Sequence, residues 1–264
     1  MLKNHNYEKG IYYLELAKKY LYELDSLNHS ICFIIHNNLA YLYLNTNQFQ
    51  KVINLLEGFI NTHDNFIYVR AMPHIYMSLN IACYNIGDYE KSIKYIKKAI
   101  LLFNYFEDEY YAGRCHLNYI NSLRYSGNLD KALEIVNRCK NKYKKYNKLY
   151  LSFFIQEMIL YFNIGNYNKV MEISNEIEAH QLSEMSEHNY EFMIGHIKYL
   201  HNDFNGAYGL FKKCEKYFLT QYYYRDLLLL YDDLYNMTKD ISYKAKQNEI
   251  MNKNGRKNIV MVQQ

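Results

Sequence analysis

The 264-residue chain has one proline, no tryptophan and ten glycines. A single proline excludes a proline-rich linker or a collagen-like region. Ten glycines supply too little turn chemistry for a β-sandwich or barrel of this length. Long apolar runs are also missing. None approaches the roughly 18–20 residues of a membrane helix, and Leu227 to Tyr231 is among the longest. Met1 to Gly10 carries no apolar stretch of the signal-peptide kind, so a cytoplasmic location is expected. Five scattered cysteines (Cys32, Cys83, Cys115, Cys139, Cys214) form no CxxC pair. They read as reduced, buried thiols rather than a disulfide framework or zinc site.

Apolar residues make up 50% of the chain, enough to bury a core, and 32 are tyrosine and 31 asparagine. The net charge of +4 is unevenly spread. Residues 239–264 hold six Lys/Arg against two acids, which leaves 25 basic and 25 acidic residues in the rest. A nucleic-acid-binding body carries its own basic footprint. This body has none, so direct nucleic-acid binding is not expected.

Five segments repeat: TNQFQKVINLLEGF, IGDYEKSIKYIKKA, SGNLDKALEIVNRC, IGNYNKVMEISNEI and HNDFNGAYGLFKKC. Their turn residues are Asn47, Gly87, Gly127, Gly165 and Asn202, spaced 40, 40, 38 and 37 apart. Gly or Asn there ends one helix in the left-handed conformation. Asp88, Asn128, Asn166 or Asp203 then caps the next. Tyr89, Ser92, Ile93, Ile96 and Ala99 follow helical spacing and make one buried face. Tyr76, Leu79, Asn80 and Cys83 do the same before the turn. Small residues (Ala17, Ala99, Ala132, Ala207) let helices approach closely. Weaker matches place further turns at His5 and Asp240. Each unit is a helical hairpin that needs neighbours to cover its face.

The unit from Tyr76 and Leu79 through Gly87, Tyr89 and Ser92 to Ala99 resembles the tetratricopeptide repeat. Ile120 and Met158 depart from it, at a position that family keeps small, and the units exceed its usual ~34 residues. The expected fold is all-α: a right-handed superhelix of tetratricopeptide-like hairpins, about five full units plus partial end units. A single solenoid is expected over 1–252 and a basic, frayed tail over 253–264. The first helix, Tyr7 to about Leu24, reads as the second helix of a hairpin whose partner helix or domain is missing. Pro73 is expected in the first turn of its helix.

Chemistry is sparse. His188, His196 and His201 show no paired metal-ligand spacing, and no HExxH, GxxxxGK[ST], GxGxxG or GxSxG occurs. Cys115 and His116 are adjacent, which on a helix points them about 100° apart. No catalytic residue, metal or cofactor is expected, and the chain does not read as an enzyme. Glu107 to Glu109 reads as a helix N-terminal cluster, and Lys140 to Lys148 as a solvated helix end.

Stacked hairpins curve, with the first helix of each pair lining the concave side. Register then places these candidate groove residues: Asn37, Asn38 and Tyr41; His74 and Tyr84; Arg114, Asn118, Asn121 and Arg124; Gln156; Asn189 and His196. Ile34, Met77, Ile81, Leu117, Ile155, Ile159, Phe192, Met193 and Tyr199 share those faces. Asn and Gln can clamp an extended peptide backbone through donor and acceptor together. Apolar neighbours form side-chain pockets, and the two arginines are candidates to hold a carboxylate.

These repeat lengths, with a nearly neutral Asn-bearing groove, resemble the C-terminal sensor domains of Gram-positive peptide-pheromone receptors (Rap, Rgg, PlcR and PrgX type). The resemblance implies a short signalling peptide bound in the groove, a role in quorum-sensing transcriptional regulation and a possible homodimer. A DNA-binding domain is not expected within this chain. The alternative is a tetratricopeptide scaffold that mediates protein–protein interaction by docking another protein's segment.

Overall fold

The computed structural model describes residues 2–23, 29–62, 69–177, 182–221 and 224–254. Among them every regular element is a helix. The chain divides into two compact units, 1–126 and 127–264. The first holds α1 (Leu2–Glu23), α2 (His29–Asn45), α3 (Phe49–Thr62), α4 (Met72–Asn85), α5 (Tyr89–Tyr105) and α6 (Glu109–Tyr125). The second holds α7 (Leu129–Lys142), α8 (Asn147–Ile164), α9 (Tyr167–Ile177) and α10 (Glu184–Leu200), then α11 (Phe204–Gln221), α12 (Tyr224–Thr238) and α13 (Ser242–Asn254).

The turns follow local chemistry. Asn47, Gly87, Gly127, Gly165 and Asn202 all have positive φ, between 57° and 83°. At Gly87 the Asp88 N–H donates back to the Cys83 carbonyl at 2.9 Å, and the Gly87 N–H to the Tyr84 carbonyl at 3.2 Å. The same pair of bonds closes the Asn47, Gly165 and Asn202 turns, so the last carbonyls of each helix are satisfied. Asp88 then accepts the Lys91 N–H, Asn166 the Lys169 N–H and Asp203 the Gly206 N–H, at 3.0–3.2 Å. Each such cap contributes about 1 kcal/mol. Pro73 lies at the start of α4, where its missing N–H costs nothing.

Four local expectations are corrected. Asn128 makes no side-chain cap. The last turn centres on Lys239 (φ 58°), one residue before the expected Asp240, which instead accepts the Ser242 N–H. His5 lies inside α1, so no turn forms there. Residues 253 and 254 continue α13, while 255–264 lie outside the described residues. One turn was not foreseen: Glu107 (φ 59°) closes α5, and Asp108 caps α6 by accepting the Tyr111 N–H.

In the first unit α4 packs along α5 and α5 along α6. Leu39, Leu56, Leu79, Ala82 and Cys83 join one core there. Asn80 is buried at its centre. Its amide donates to the Ser92 carbonyl (3.1 Å), Ser92 Oγ (2.7 Å) and Ser122 Oγ (3.1 Å), tying together α4, α5 and α6. In the second unit α10 packs on α8, α11 and α12. Ile155, Met158, Val170 and Met193 form one cluster, and Phe192, Phe211, Phe218 and Tyr231 another. All five cysteines are buried free thiols, as expected. Ala99, Ala132 and Ala207 are fully buried; so are Ile120 and Met158, the larger residues at the family's small position. Tyr7, Tyr76, Tyr89, Tyr161 and Tyr167 are only half-buried. Among the described residues, Tyr43, Tyr119, Tyr143, Tyr231 and Tyr243 are the buried tyrosines.

Candidate peptide-binding faces

In the first unit the first helices of the hairpins, α2, α4 and α6, pack side by side. They carry Asn37, Asn38 and Tyr41 on α2, His74 and Tyr84 on α4, and Arg114, Asn118, Asn121 and Arg124 on α6. None of these nine is buried, and Asn38, Tyr41 and Arg114 are exposed. Ile34, Met77, Ile81 and Leu117 are likewise exposed or half-buried between them. Among the described residues, no side-chain hydrogen bond engages Asn37, Asn38, Asn118 or Asn121. Asn45 and Asn85, one turn further on, instead donate to the Tyr41 and Ile81 carbonyls of their own helices, at 2.7 and 2.8 Å. Four carboxamides therefore keep both donor and acceptor for a ligand.

Aromatic stacks hold the two ends of this face. His74 sits edge-on to Phe103 and Tyr111, 5.0 Å from each, and Arg114 lies over the Tyr111 ring at 5.6 Å. Burial pushes the His74 imidazole below its ordinary range, against a smaller opposing pull from Asp108. It is therefore neutral near pH 7. At the other end Tyr84 packs on Tyr125 at 5.2 Å, and Arg124 lies over Tyr125 at 4.2 Å. Ten helical residues separate the two arginines, about 15 Å of rise. They mark opposite ends of the face and do not form one carboxylate clamp.

The corresponding register in the second unit is largely filled. Ile155, Ile159, Phe192 and Met193, expected to face a groove, belong to the core. Gln156 is also buried, and its Oε1 accepts no hydrogen bond. The reason is that α10 packs on α8 and buries the side chains that an isolated helix would show. Asn189 stays half-buried.

His196 is the exception that reaches across helices. Its Nδ1 lies 2.6 Å from Asp233 Oδ2 on α12, and its Nε2 lies 3.5 Å from the Tyr167 hydroxyl on α9. Phe162 packs edge-on against the ring at 4.9 Å. These contacts link four helices, α8, α9, α10 and α12, and leave His196 less available to a ligand than the sequence implied. Burial, with a smaller contribution from Asp233, raises the Tyr167 hydroxyl. A shallow hollow of about 240 Å³ opens nearby, lined by Tyr199, Leu200, Asn202, Phe204, Asn236 and Met237. That is below the ~300 Å³ at which small-molecule sites begin.

Two further arrangements escaped the sequence because their partners are remote. Lys140 is not simply part of a solvated helix end: it pairs with buried Glu157 and lies over Phe154. His188 and Glu191 of α10 meet Cys214 of α11, with one ligand-type atom from each within 4.8 Å of the others.

No protein-family model and no curated protein sequence matches the chain. Solved structures match its fold. A kinesin light chain of Podosopora anserina with nearly identical TPR-like repeats aligns with a TM-score of 0.58 at 13% identity, over 67% of this chain and 87% of that one. A Rap protein complexed with Competence and Sporulation Factor aligns with a TM-score of 0.64 at 12% identity, over 97% of this chain and 73% of that one. No helix among the described residues is long and apolar enough to cross a membrane. The chain has a tetratricopeptide-like helical-repeat fold that resembles the Rap fold.

Proposed function

We propose that this chain is a non-catalytic sensor module that binds a short signalling peptide on the α2–α4–α6 face of its first unit. The observation that carries this reading is the set of four uncommitted carboxamides, Asn37, Asn38, Asn118 and Asn121, set among apolar side chains. A carboxamide in such a place pairs with a backbone amide through both of its atoms. The likeness to a Rap protein solved with Competence and Sporulation Factor supports a regulatory role of the quorum-sensing kind. Nothing in the face needs a charged ligand, since its arginines sit at its two ends.

Peptides retained by protein purified from its native cells, read by mass spectrometry, identify the ligand. The double variant Asn118→Ala, Asn121→Ala is expected to weaken binding of that peptide tenfold or more, because each lost bond to a desolvated backbone costs about 1–3 kcal/mol. Unchanged affinity removes the first-unit face from the site. Retention of large proteins alone favours the scaffold reading.

A further inference from the structure

Three metal-ligand side-chain types converge inside the second unit. His188 and Glu191 stand three residues apart on α10, so both point from one side of the helix. His188 Nδ1 lies 3.0 Å from Glu191 Oε2. Cys214, on the adjoining α11, completes the group, with its Sγ within 4.8 Å of a ligand-type atom of each. His188 and Cys214 are buried, and Glu191 is nearly so.

We propose that His188 Nδ1, Glu191 Oε2 and Cys214 Sγ form a binding site for a zinc-like divalent cation. Metal bonds of ~2.0 Å to nitrogen and oxygen at tetrahedral angles place those two atoms about 3.3 Å apart. The His188–Glu191 separation is already within about 0.3 Å of that. A zinc–sulfur bond of ~2.3 Å places sulfur about 3.6 Å from each. The separation of Cys214 Sγ from the ligand-type atom of each of the other two residues exceeds that by no more than about 1.2 Å.

The surroundings support the same geometry. Lys213 bonds Glu191 through the other carboxylate oxygen, Oε1, so Oε2 stays directed at His188. The Tyr217 ring lies 4.1 Å from the His188 ring and limits its rotation. Groups of this kind, which orient ligands without touching the metal, are part of working metal sites. One nitrogen, one oxygen and one sulfur is a donor set that suits zinc and excludes magnesium and calcium, which take oxygen. The Cys214 thiol donates to the His188 carbonyl at 3.4 Å. Burial keeps that thiol protonated, pushed up to about 12. Metal binding then releases its proton to solvent and replaces the S–H bond by a metal–thiolate bond.

The test uses the full chain, stripped by chelator, kept reduced and titrated with Co²⁺. We expect one equivalent to produce the near-ultraviolet thiolate-to-cobalt absorption band, and Zn²⁺ to displace it. Cys214→Ser should abolish the band, while Cys115→Ser retains it. Glu191→Gln should weaken Co²⁺ binding tenfold or more. Absence of the band in the unaltered chain overturns the site, as does its persistence in Cys214→Ser. Should Cys214→Ser lose its helical circular dichroism, Glu191→Gln decides: unchanged affinity then overturns the site. Peptide affinity has no part in this readout.

Discussion

The two units use one hairpin plan but bury different chemistry. At the centre of the first, Asn80, Ser92 and Ser122 form a neutral network, and the first-helix face stays open. The buried carboxylates among the described residues, Glu157, Glu215 and Asp233, all lie in the second. Each has a basic partner: Lys140 for Glu157, Lys212 and Lys246 for Glu215, and His196 for Asp233. Within the second unit the corresponding face is closed. A shared repeat therefore sets the hairpin without setting which face is free to bind. What decides that is the neighbour each helix packs against.

The sharpest way to break this contrast is to remove the neutral network. Asn80→Leu takes away the donor shared by Ser92 and Ser122 and leaves buried hydroxyls with fewer partners. It is expected to cost about 2–4 kcal/mol in urea unfolding. A loss below about 0.5 kcal/mol would mean the network does not hold α4, α5 and α6 together.

Acid should act on the second unit through Glu215. Burial pushes its carboxyl up, but hydrogen bonds from Lys212 and Lys246 outweigh that and hold it below the ordinary 4.5. The folded value is the lower one, so its contribution is complete above about pH 4.5 and is lost as pH falls through the folded value. Glu215→Gln is expected to cost about 1–2 kcal/mol at pH 7, discounted because both lysines are partly exposed, and to flatten the stability profile below pH 4.5. An unchanged profile would contradict the pairing.

Smaller effects probe the closed and open faces. Gln156→Met replaces a buried amide whose oxygen has no partner with an apolar side chain of similar length. It should stabilise the protein by about 1 kcal/mol in thermal unfolding. Asn118→Leu, on the open face, should shift stability by no more than about 0.5 kcal/mol. If both variants behave alike, the distinction between closed and open faces fails. Glu107→Gly relieves a side chain held at positive φ and should stabilise by about 0.5–1 kcal/mol. Gly87→Ala should do the reverse, because Gly87 has φ 83°.

The turns were legible because their causes are local. A glycine or asparagine marks a left-handed stop, and the Asp or Asn that follows Gly87, Gly165 and Asn202 supplies the new cap. Glu107 was missed because its residue type gives no such sign. Its turn holds because Asp108 caps α6 and bonds back to the Phe103 carbonyl at 2.8 Å. The open face on α2, α4 and α6 was placed by helical register alone. The same register failed at Ile155, Phe192 and Met193, since it says nothing about a second helix lying across them. Neither the His196–Asp233 contact nor the meeting of Cys214 with His188 has a sequence signal, as 37 and 26 residues separate the partners.

By itself the sequence determined the helices, the stops at glycine and asparagine, and the hairpin repeat. Those depend on backbone conformation and on side chains within one or two turns. The tertiary structure decided which first-helix face stays open, which carboxylates are buried beside a basic side chain, and where His188, Glu191 and Cys214 come together. Those depend on distance between helices, which no periodicity along one chain encodes.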